Sequence, residues 1–204
     1  MKLNLDSPVL DYVNTLLSYI VLNLLFILCC IPVITIGPAV AALYAVMLRE
    51  ARREYGYLYR SFLRAFREIF FQALGMSLFF VAFLLFISFS MVFWYSYGGA
   101  LPMAASVLLA VLMLVTLGAG LYGFPLLARF QNTVRQTVRN AFGMTVAHAG
   151  YTVLLIGIEA AAAALFYFFP LFRVFMLAVG FVFVALCKSL ILSVVFARYE
   201  SKKE

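Results

Sequence analysis

Three ionisable residues interrupt otherwise apolar stretches of this sequence: His148, Glu159 and Lys188. A charge in hydrocarbon is costly, so such residues usually face a bundle interior or a watery cavity and mark candidate paths for protons or solutes. Glu159 and Lys188 lie on either side of Pro170, which begins a tight turn. Folding the chain about Phe172 sets Glu159 opposite about Ala185 and leaves Lys188 roughly one helical turn away, about 5 Å. An ion pair across this hairpin is within reach of the flexible lysine side chain. His148 stands eleven residues before Glu159, nearly a whole number of turns. The two then share a helix face while lying about 16 Å apart along the axis. Such a titratable row suits a transport path, and a structural pair with Lys188 snorkelling toward the inner surface accounts for it equally well.

A second group of residues is suited to contact rather than chemistry. Tyr55, Tyr59, Phe62, Phe66 and Ile69 recur at helical spacing, with Arg60, Arg64 and Arg67 on another face. Arg60, Arg64, Arg67, Phe62 and Phe66 form a candidate contact for the membrane surface or a protein partner. Gly143, Ala147, Gly150, Gly157, Ala161 and Ala164 make a small-residue ridge that another helix can approach closely, and Gly118, Gly120 and Gly123 offer a matching surface. Asn14 and Asn23 read as polar packing glue within the first span. Cys29, Cys30 and Cys187 lie in apolar runs without spaced metal-ligand partners and read as small hydrophobes. The sequence contains no phosphate-binding loop, no paired metal-binding histidines and no nucleophile with an evident base. No enzymatic activity, metal or cofactor is expected.

The elements that must position these residues are membrane helices. Of the 204 residues, 67% are apolar and 11% charged, with a mean hydropathy of +1.09, a composition foreign to soluble domains. The expected fold is all-α, one polytopic bundle with spans near 12–36, 72–95, 103–127, 145–169 and 174–196. The first run is longer than a signal-peptide core and lacks a basic leader, so it is expected to remain as a membrane segment. Residues 12–48 would make about 55 Å of helix. Pro32, Gly37 and Pro38 are the candidate break, followed by a short helix from about Ala39, either interfacial or crossing back. The interfacial placement, with the N-terminus outside beside Lys2, Asp6 and Asp11, is the favoured expectation. Basic segments 49–71, 128–143 and 197–204 carry Arg49, Arg52, Arg53, Arg129, Arg135, Arg139, Arg198, Lys202 and Lys203. The positive-inside rule places them, and the C-terminus, in the cytoplasm. The charge of +7 is thus a topology signal, and these juxtamembrane residues carry no nucleic-acid recognition motif.

Residues 23–26 (Asn-Leu-Leu-Phe), 29–32 (Cys-Cys-Ile-Pro), 35–39 (Thr-Ile-Gly-Pro-Ala) and 42–44 (Ala-Leu-Tyr) resemble the YesL-like family of bacterial membrane proteins of unknown function. Glu54-Tyr55-Gly56, Ser61-Phe62 and the stretch from Phe66 to Gln72 resemble that family's basic segment. The resemblance implies a bacterial plasma-membrane protein with an accessory role near a sugar transporter, and it supplies no catalytic or binding residues. Expected partners are the bilayer and a sugar transporter, another membrane protein or a second copy of the chain. The expectation is a non-enzymatic accessory or regulatory component of carbohydrate uptake; the alternative is a small solute or proton-coupled transporter using Glu159 and Lys188.

Overall fold

The structure, a computed structural model, describes residues 8–54, 56–130 and 132–200, with side chains described from 14 to 197. Lys2, Asp6, Tyr55, Lys202 and Lys203, and the side chains of Asp11 and Arg198, lie outside the described residues. Every regular element among those described is helical: α1 (Pro8–Cys30), a short 3-10 turn (Val33–Thr35), α2 (Ile36–Ala51), α3 (Leu58–Tyr97), α4 (Ala100–Arg129), α5 (Val134–Ala147), α6 (Ala149–Phe168), α7 (Pro170–Phe175) and α8 (Phe181–Glu200). A π-helical segment, Met176–Gly180, joins α7 to α8. Five stretches are long and apolar enough to cross a membrane, namely Val33–Ala51, Leu58–Tyr97, Ala100–Arg129, Ala149–Phe168 and Pro170–Ala197, and Asn14–Cys30 is a shorter apolar helix. The chain is an all-α membrane protein.

Local chemistry sets the breaks. Pro32 is extended, at φ −75° and ψ 118°, and the Thr35 hydroxyl lies 2.6 Å from the Cys29 carbonyl and 2.7 Å from that of Pro32. It thereby serves the Cys29 carbonyl at the interrupted end of α1 and adds a second bond to the Pro32 carbonyl, which also accepts the Thr35 amide at 3.0 Å. Pro38 falls in the first turn of α2, where a missing amide hydrogen costs little. The turn between α3 and α4 takes positive φ at both Gly98 (65°) and Gly99 (95°), values that L side chains rarely adopt. Thr133 and Gln136 form a reciprocal capping box at the start of α5.

Helix α2 is the centre of the bundle rather than an interfacial helix. Ten of its sixteen residues are buried, from Gly37 to Leu48, and it contributes to both core clusters. Its Gly37, Ala39, Ala41 and Ala42 leave room for neighbours to come close. A Cβ on Gly37 would lie 2.5 Å from the Ser77 Cβ, midway along the 40-residue α3. Helix α1 runs antiparallel to α2, because the Tyr19 hydroxyl donates to Glu50 Oε1 at 3.2 Å and Asn14, Ser18, Glu50 and Leu58 border one depression. The expected placement of the N-terminus outside rested on an interfacial second helix, and the burial of α2 removes that premise. The start of α1 shares an end of the bundle with the basic 51–57 connection. Helices α4 and α8 finish at that end too, with Leu48, Leu126 and Phe196 in one cluster and the Phe130 and Phe196 rings 5.9 Å apart.

Other boundaries also shift. The amphipathic basic segment and the second span are one continuous helix, α3, about 60 Å long. The segment 128–143 contains most of α5, which folds back along α4. The Phe142 ring lies 6.3 Å from that of Phe80, while Thr137, Ala141, Met144 and Thr145 are buried and Arg135 and Arg139 exposed. The fourth span, expected from 145, is interrupted at His148, where φ −119° and ψ 47° leave the helical region and start α6. The ridge from Gly143 to Ala164 makes no close packing within the chain; all six residues are exposed. Close approach instead uses Gly118, where a Cβ would meet Thr145 and Thr152 methyls at 2.6 and 2.9 Å, and Gly123 against Phe80 at 3.2 Å.

Candidate functional site

The hairpin of α6 with α7 and α8 brings Glu159 onto Lys188, and the carboxylate Oε1 contacts the ammonium directly. The partners are unequally covered: the lysine side chain is 9% exposed and that of glutamate 45%. This asymmetry matters, since the buried cation is fixed by its surroundings whereas the carboxylate sits at the edge. Tyr44 of α2 completes the group, with Lys188 Nζ 5.4 Å from its ring centroid, close enough for a cation–π contact. Beside them is a cavity of about 260 Å³, bordered by α1, α2, α4, α6 and α8, with Phe26, Leu121, Phe124 and Phe181 among its apolar walls.

His148 is not part of this group. The helix break places it at the junction of α5 and α6, its ring 6.2 Å from that of Tyr151, and it does not border the cavity. The spacing argument linking it to Glu159 assumed one uninterrupted helix, and the break removes that assumption. The junction is held by Thr152, whose Oγ1 lies 3.0 Å from the Thr145 carbonyl, 3.1 Å from that of His148 and 3.3 Å from the Tyr122 hydroxyl.

Asn23 does act as glue between helices. Fully buried, it donates from Nδ2 to the carbonyls of Met176 (3.0 Å) and Leu177 (2.8 Å), and its Oδ1 accepts from the Val182 amide at 3.3 Å. These are backbone groups at the π segment, where the α-helical pairing is disturbed. Asn14, by contrast, is exposed, and its carbonyl accepts from Ser18 Oγ one turn later in the same helix.

Of the five contact candidates at the base of α3, Arg60, Arg64 and Arg67 are exposed. The Arg60 guanidinium lies 5.2 Å from the Tyr57 ring centroid and 5.7 Å from that of Tyr59. Phe62 requires a correction: it is fully buried in the cluster around α2 and has no surface to offer a partner. Phe66 is half-buried against the same cluster, stacked with Phe62 at 6.2 Å. Phe62, Phe66 and Ile69 face inward while Tyr59 stays exposed, because α2 offers a surface of small residues that the local periodicity of α3 does not reveal.

Two participants escaped the sequence reading. Tyr44 stands within an Ala-rich apolar helix, and a phenol there is a signal that a polar partner is near. Arg173 follows Pro170 at the end opposite the other arginines. Its Nε and Nη2 donate to the carbonyls of Phe166 (2.9 Å) and Tyr167 (3.0 Å), closing the C-terminus of α6. The three cysteines are free, and no group of three potential metal ligands occurs among the described residues.

Residues 19–91 match a family model described as a protein of unknown function, DUF624. The matched segment runs from the middle of α1 to late α3. It includes Asn23, the break at Pro32, Gly37, Tyr44, Phe62 and the exposed Arg60, Arg64 and Arg67, and it leaves Glu159 and Lys188 outside. No curated protein matches the chain, and neither does any solved structure.

Proposed function

We propose that this protein is a non-enzymatic accessory or regulatory component of a bacterial plasma membrane, serving carbohydrate uptake or utilisation through contact with another membrane protein. The observation that carries this reading is the exposed face of Arg60, Arg64 and Arg67 on a helix that continues into the membrane without a break. Phe62 anchors the inner side of the same turns in the core, so the arginines are presented on a rigid base. By the positive-inside rule this basic end, with the start of α1 and the end of α8, faces the cytoplasm. The likeness of the first two helices to YesL-like proteins supports the link to sugar uptake.

Crosslinking in native membranes followed by mild-detergent purification and mass spectrometry tests it, comparing the protein with an Arg60→Ala, Arg64→Ala, Arg67→Ala variant. Recovery of a transporter subunit that is lost in the variant is expected. Recovery of this chain alone from both would overturn the reading. One observation favours a second function, a small transporter: the ion pair of Glu159 and Lys188 borders a cavity. In proteoliposomes, Glu159→Gln would abolish solute or proton flux on that reading and leave an accessory complex assembled.

A further inference from the structure

We propose that the cavity beside Lys188 binds an anionic amphiphile, whose carboxylate or phosphate head takes the place of Glu159 on the lysine while its alkyl chain lies along the apolar walls. A buried ammonium requires a counter-charge, and removing it leaves a strongly unfavourable unpaired ion. The Lys188 side chain is 9% exposed and that of Glu159 45%, so the anion is the partner free to exchange. An incoming acid that arrives protonated hands its proton to Glu159 as it takes the ammonium, so the site keeps zero net charge, whereas a neutral or cationic ligand offers the lysine no counter-charge.

The surroundings fit such a ligand. Phe26, Leu121, Phe124 and Phe181 give the wall an apolar surface, and Gly120 contributes bare backbone to it. A Cβ placed on Gly120 meets nothing within 4 Å, so the space before it is open. The cavity, about 260 Å³, is a little smaller than typical small-molecule sites of about 300–1,000 Å³, which suits the head-proximal part of a chain. Depth fits as well. Tyr44, against which Lys188 rests, precedes the exposed Arg49 by five residues of α2, about 8 Å. An anionic head on Lys188 thus lies just beneath the basic end of the bundle, where an amphiphile inserted from that leaflet would hold it. This site shares no residue with the arginine face of α3, so either proposal can fail without the other.

The test uses the full-length protein in phosphatidylcholine nanodiscs and a diazirine-bearing hexadecanoic acid as photolabel, with labelled peptides mapped by mass spectrometry. Labelling is expected on the Leu121 to Phe124 stretch of α4 and to fall about tenfold in Lys188→Gln, the loss of about 1.4 kcal/mol of binding. Glu159→Gln is expected to raise it, because a competing anion has been removed. Gly120→Leu, which fills open space rather than breaking a contact, is expected to lower it. Opposite signs for the two charge variants separate binding from misfolding, which would lower both. Competition by dodecanoate alone identifies a fatty-acid site, and competition by dodecyl phosphate as well identifies a site open to phospholipid heads. Labelling unchanged in Lys188→Gln, lowered in Glu159→Gln, or displaced equally by dodecyltrimethylammonium overturns the proposal.

Discussion

The base of the bundle around α2 and the far hairpin formed by the later half of α3 and the first half of α4 are both strongly apolar, yet they are covered differently. Around α2, residue after residue is enclosed by protein. Beyond Ile87 no residue of α3 is buried, and in α4 only Ser106 is buried before Thr116. The exposed surface of that hairpin carries Phe86, Phe89, Trp94, Tyr95, Leu101 and Leu108. In lipid the apolar character of a side chain does not draw helices together, because the alternative solvent is equally apolar. Small residues and satisfied polar groups do, and they concentrate at the base: Gly37 against Ser77, Asn23 against the π segment, Lys188 against Glu159.

The contrast can be broken most severely at Phe62. Phe62→Ala opens a void in the base and is expected to cost about 3–5 kcal/mol, whereas Phe89→Ala, at a side chain 73% exposed, stays within about 0.5 kcal/mol. Denaturant titration in mixed micelles compares them, and equal losses would mean that the far hairpin is packed after all. Next comes Gly37→Val, which forces a methyl into Ser77 and is expected to cost about 1–3 kcal/mol. Its counterpart, Gly157→Val, meets open space and should leave the thermal unfolding midpoint in mild detergent close to that of the unmodified protein.

Asn23→Leu sharpens the contrast at a polar contact. It strips partners from two carbonyls and one amide at the π segment, and about 1–3 kcal/mol is expected for groups left unsatisfied. If the π segment closes into regular α-helix as a result, α8 turns by about 100°, one residue's worth of helix. Lys188 then leaves Glu159, which disulfide trapping between cysteines at these two positions would report as lost efficiency in the Asn23→Leu background. The smallest effect belongs to Ser96→Ala, whose hydroxyl bonds only the Val92 carbonyl of its own helix. A change within about 0.5 kcal/mol is expected, and a loss matching that of Asn23→Leu would show that polar contacts at the base are not special.

Much of the site could be seen in the sequence because hairpins are local. Pro170 fixed where the last two spans turn, and counting residues outward from it placed Glu159 near Lys188. His148 failed the same reasoning because counting along a helix holds only while the helix continues, and the chain leaves helical geometry at that residue. Phe62 and the ridge from Gly143 to Ala164 failed for another reason. Helical periodicity separates two faces but does not say which one another helix will cover.

The sequence by itself determined that this is an all-α membrane protein, that its apolar helices are interrupted near Pro32, Gly98–Gly99 and Pro170, and that its arginines gather in particular connections. Those properties follow from run length, proline, glycine and charge, each acting over a few residues. Only the tertiary structure decided that α2 lies at the centre, that α1 starts at the basic end, that Tyr44 joins Lys188 and that Asn23 holds the π segment. Such choices turn on which helices pack together, and in an apolar solvent that depends on complementary shapes and paired polar groups from segments far apart in the chain.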